Sequence, residues 1–113
     1  MKDEIKKLLL SLGIRSTYNG FQYLCYALEL CLEREDYLLA VYSNLYVDVA
    51  EKFHTSRNNI EHCIRTVVSY CWERGNRERL MQLAGYELKD KPTNGEFIDI
   101  LYQHLVLLKK DTR

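Results

Sequence analysis

Arg57, Asn58, Asn59, Glu61, His62 and Arg65 crowd into one short stretch of the chain, and each carries a group that matches a base edge. A guanidinium donates to guanine O6 and N7, a carboxamide suits adenine N6 and N7, and a carboxylate accepts from cytosine N4. His62 can donate to guanine through a ring N–H. Thr55, Ser56 and Arg57 stand where the stretch begins, the place where hydroxyls and free helix amides meet phosphate. Lys91, Thr93 and Asn94 form a second such start, a cation beside a T-x-x-E capping box. Each group also has a quieter reading. Arg65 lies four residues after Glu61 and can simply pair with it. Asn58, Asn59 and His62 make an ordinary solvated first turn, and residues 93–96 make a cap with structural duty alone.

These side chains need a helix to present them, and the flanking apolar residues supply one. Leu45, Val49 and Phe53 fall at i, i+4 and i+8, with Val47 and Ala50 alongside. His54-Thr55-Ser56 then breaks the pattern, and Thr55 or Ser56 can cap the next helix. Ile60, Ile64, Val67, Val68, Cys71 and Trp72 repeat at helical spacing and define a buried face. The polar set, with Ser69, lies opposite. A short helix, a tight turn and a second helix with base-matching residues outside is the plan of a DNA-binding helix-turn-helix, here spanning about 44–75.

Composition bounds the rest. The 113 residues suit one domain, 1–113, with one core. Nearly half of them are apolar and there is one proline, so the chain folds rather than staying disordered. No apolar run reaches membrane-spanning length and the start MKDEIKK lacks a cleavage pattern, which predicts a cytoplasmic protein without a membrane partner. Cys25, Cys31, Cys63 and Cys71 stand six and eight apart within their pairs, neither of which is a CxxC spacing. They read as small buried hydrophobes. His54, His62 and His104 share no ligand spacing, so neither metal nor cofactor is expected. With no Gly-rich phosphate loop and no catalytic Ser/His/Asp order, an enzyme is not expected.

Net charge is zero, which by itself argues against a nucleic-acid binder. Its distribution argues the other way. Residues 1–51 hold five Lys/Arg against eight Asp/Glu, residues 52–79 six against three, and residues 80–113 five against five. The chain's one basic segment is thus the one that contains the second helix of the hairpin, and what a phosphate feels is charge within a Debye length of about 8 Å.

The wider pattern predicts an all-α fold of about six helices. The first runs from Asp3, as N-cap, to Ser11 with Gly13 as its stop. A longer one covers 21–33, and Asp36 caps a short helix through Tyr42. Asn76 caps 77–83 before Gly85, and the Thr93 box opens a last helix through about Leu108. The nine tyrosines read as rim-of-core residues.

The segments LYVDVAEKF, IEHCIRTVV, WERGN, LAGY and KPTNGEFI together resemble the C-terminal DNA-binding effector domain of the stage-zero sporulation master regulator of endospore-forming Firmicutes. The likeness runs along nearly the whole chain, with one two-residue shortening before Lys91. It implies a six-helix response-regulator effector domain that inserts the helix starting near Ser56 (about 56–74) into the major groove of a short DNA box. It further implies a second copy on a tandem box and the sigma subunit of RNA polymerase as partners. In the family a receiver domain precedes this one; the reading expects none here and carries over no phosphorylation control. Glu61 and Arg65 match the family. Val47 replaces a proline, and Asn59 and His62 replace two arginines, which implies a different target sequence or weaker binding. The expected function is therefore sequence-specific regulation of transcription in sporulation, or occupation of the same boxes as a competitor. The alternative is a protein-interaction module, impaired in DNA binding, that acts on a full-length relative.

Overall fold

The computed structural model describes residues 1–111, and these form six α-helices: α1 (Lys2–Ser11), α2 (Asn19–Glu33), α3 (Tyr46–Lys52), α4 (Arg57–Glu73), α5 (Arg77–Ala84) and α6 (Asn94–Asp111). No strand occurs among the described residues. Helix α2 is the hub. It packs against α1, α3, α4 and α6, and its Phe21, Tyr23, Leu24, Ala27, Leu28 and Cys31 are buried as the apolar spacing requires.

Glycine decides two of the joints. Gly13, at φ +80°, turns the chain out of α1 in the left-handed region that side chains avoid. Gly20 lets α2 approach α4 closely: a Cβ there would stand 2.4 Å from the Cys63 carbonyl oxygen and 2.5 Å from Val67 Cγ2. No residue but glycine fits that crossing without a shift of backbone.

Several boundaries differ from expectation. Helix α1 starts two residues early, with Met1 at the N-cap position, so Asp3 lies inside its first turn. Helix α2 likewise begins at Asn19. The segment expected to run as one helix from Asp36 to Tyr42 is instead a 3-10 turn (Glu35–Leu39) and then a π turn (Val41–Leu45) leading into α3. Asp36 does not cap it; its carboxylate accepts from Arg34 at 3.0 Å. The tyrosines account for the break. Tyr37 is buried and donates to Asp48 of α3, which ties the 3-10 turn to α3 across the change of pitch between them. Trp72, expected in the core, is half-buried at its edge, with the Arg77 guanidinium 4.0 Å above its ring. A surface cation takes the outer face of an indole too large for the space inside.

Cys31 and Cys71 are buried, while Cys25 and Cys63 are half-buried. Burial pushes the thiols up, to about 11 for Cys25 and Cys71 and about 12 for Cys31.

Candidate nucleic-acid interface

Helix α3 ends at Phe53, where His54 adopts φ +54°. A left-handed residue is the usual way to leave a helix, and His is among the side chains that tolerate it. Ser56, in extended conformation, then caps α4, its Oγ accepting from Asn59 N at 3.1 Å. The turn between the two helices is thus four residues long, 53–56. Ile60, Ile64, Val67, Val68 and Cys71 bury one side of α4, which turns the polar side outward.

That outer side stands clear of the rest of the molecule over its first half. Arg57, Asn58, His62 and Arg65 are exposed, and Glu61 is half-buried between them and the core. His62 has no side-chain partner among the described residues. Arg65 Nη2 donates to Glu61 Oε1 one turn back. An exposed i, i+4 pair is worth only about 0.3–0.5 kcal/mol, so a bidentate guanine contact of about 1–3 kcal/mol readily wins the guanidinium away.

Asn59 is placed differently. Its Nδ2 donates to Thr55 Oγ1 at 3.0 Å and its Oδ1 receives the Cys63 thiol at 3.6 Å. Both ends of the amide serve the helix start. Thr55, Ser56 and Thr93 hydroxyls each accept a bond from α4 or α6. Each therefore keeps its own O–H to donate.

The second cluster joins the first. Thr93 caps α6 by accepting from Glu96 N at 3.1 Å. The Glu96 carboxylate, expected to accept in return from Thr93 N, accepts instead from the Tyr86 hydroxyl at 3.1 Å. Asn94 Nδ2 donates to the Glu61 carbonyl at 3.1 Å, and Lys91 Nζ to Ser69 Oγ at 2.9 Å. The start of α6 is thereby fastened to the outer side of α4. Between them runs an open groove of about 550 Å³, lined by Tyr42, Tyr46, Glu61, Arg65, Lys91 and Thr93 among others. Two cations and a helix N-terminus face it against one carboxylate, so its field favours an anion. Tyr46 is buried at its floor, and its hydroxyl has no hydrogen-bond partner among the described residues. Burial pushes this phenol up to about 12, opposed by the neighbouring Asn94 amide.

This arrangement can donate to phosphate along both helix starts and present donors and acceptors on a convex helix between them. Among the described residues no three His, Cys, Asp or Glu side chains gather as metal ligands, and no helix is long and apolar enough to cross a membrane. Residues 5–105 match the family described as Sporulation initiation factor Spo0A C terminal. The chain belongs to that family. Its members are DNA-binding, non-enzymatic effector domains of a sporulation transcription regulator.

Reasoning from sequence missed Tyr42. It lies outside the helix-turn-helix in the π turn, yet its ring and hydroxyl meet Arg57 and Asn58. No periodicity marks such a residue, because it acts across a break in helical pitch.

Proposed function

We propose that this protein binds a specific double-stranded DNA box and regulates transcription in sporulation, with α4 lying in the major groove. Asn58, Glu61, His62 and Arg65 read bases. Asn59, held by its bonds to Thr55 and Cys63, joins them through its remaining amide hydrogen and lone pair. Thr55, Ser56 and Arg57 hold the phosphates at the start of α4, and Lys91, Thr93 and Asn94 hold those at the start of α6. What chiefly supports this reading is the exposed outer side of α4, which carries base-matching residues between two capped helix starts. The reading entails a cytoplasmic protein, with copies on tandem boxes and the polymerase sigma subunit as partners at the promoter.

A titration of the family's box and a scrambled duplex across salt concentrations tests it. Binding should favour the box and weaken with salt at a log–log slope of about −0.9 per phosphate contact. Failure to bind either duplex at low salt would overturn the reading and leave the interaction module in its place.

A further inference from the structure

The π turn sets Tyr42 beside the first turn of α4. Its hydroxyl donates to Asn58 Oδ1, its ring carries the Arg57 guanidinium 4.5 Å from the centroid, and its other side meets Tyr46 edge-on with centroids 6.3 Å apart. The ring is thus held from behind by a buried residue and acts on the two residues that open the recognition helix. Asn58 itself is exposed.

A carboxamide has one end that accepts and one that donates, and rotating it exchanges them. Reading adenine in the major groove takes both ends at once, accepting from N6 and donating to N7. The bond from Tyr42 holds the amide with Oδ1 toward the ring and leaves Nδ2 as the end without a partner among the described residues. Its N–H donors match a base that offers acceptors alone, which on the purine side means guanine at O6 and N7. We infer that Tyr42 is a specificity-determining residue: it fixes the polarity of Asn58 so that this asparagine reads guanine rather than adenine. It is a positioning residue, acting through Asn58 and holding Arg57 beside it. The inference rests on the proposed DNA reading, with α4 in the major groove.

Tyr42→Phe keeps the ring and its contact with Arg57, removes only the hydroxyl, and acts at a site 43% exposed, so the fold tolerates it. In the free protein the Asn58 side-chain carbonyl resonance should move on this substitution. An unmoved resonance overturns the inference whatever happens with DNA. On duplexes randomised within the box, wild type should select guanine at one position where Tyr42→Phe shifts about tenfold toward adenine, within the range of one bidentate contact. In an Asn58→Ala background the Tyr42→Phe change should leave selection untouched, which a general loosening of the fold would not do. Identical base preferences in wild type and Tyr42→Phe, with or without a uniform loss of affinity, overturn the inference and leave the DNA reading standing. A wild type that binds no duplex, with the resonance shift present, overturns the DNA reading and the base assignment with it, and leaves only the Tyr42–Asn58 contact.

Discussion

Replacing Gly20 by alanine should damage this protein far more than one added methyl group suggests. The new Cβ would stand 2.4 Å from the Cys63 carbonyl oxygen and 2.5 Å from Val67 Cγ2. Ordinary heavy-atom contacts lie near 3.5–4.0 Å, so α2 and α4 must separate locally by about 1 Å. Neither neighbour yields easily, since one is helix backbone and the other a branched side chain stiff about χ1. Overpacking of this kind costs about 1–3 kcal/mol, and the better helix propensity of alanine returns only about 0.5–1 kcal/mol. Taking the severe end of the range, the net loss is about 2 kcal/mol, a fall in Tm of roughly 8 °C for a domain of this size. Calorimetry or urea unfolding reads it directly. Gly95→Ala is the control, because a Cβ there meets nothing within 4 Å; its Tm should hold or rise slightly. Adding Val67→Ala to Gly20→Ala should not restore stability, since the carbonyl clash remains and a cavity is added. If Gly20→Ala melts within about 2 °C of wild type, the crossing is looser than argued and α4 is not held by it.

The site and the core each give one more expected outcome. Arg65→Ala should cost about 1–3 kcal/mol on the cognate box and less on random DNA; equal losses on both, measured by competition binding, would reassign Arg65 to phosphate. Stability should fall in alkali. Burial raises the Cys25, Cys31 and Cys71 thiols from 9.0 to about 11, 12 and 11, and the Tyr46 phenol from 10.0 to about 12. Acids whose folded pKa is raised stay protonated in the native state after the unfolded chain has ionised. Their contribution is thus complete below pH 9 and is lost progressively toward pH 12. Urea midpoints that stay flat from pH 8.5 to 10.5 would refute this.

Much of the fold was legible because apolar spacing is local information. The buried face of α4 reads straight from Ile60 to Cys71, and Gly13, Ser56, Asn76, Gly85 and Thr93 each mark a helix end by chemistry that acts within a few residues. The 35–45 segment did not read correctly. Along it Tyr37 reaches Asp48 and Tyr46 fills the floor below, contacts made across a change of helical pitch that residue spacing does not reveal. Trp72 misled for a related reason: its spacing is that of a core residue, but its volume is accommodated only at the edge, under Arg77.

By itself, then, the order of residues determined an all-helical fold, the caps at Ser56, Asn76 and Thr93, and a polar strip on the second helix of a hairpin, since periodicity and capping act through near neighbours. The tertiary structure decided which polar groups remain available. It fastened Asn94 and Lys91 to α4 and set Tyr42 against Asn58. Hydrogen bonds between segments distant along the chain exist only once the core has brought their helices together, so the orientation of the candidate readers is a property of the packed domain.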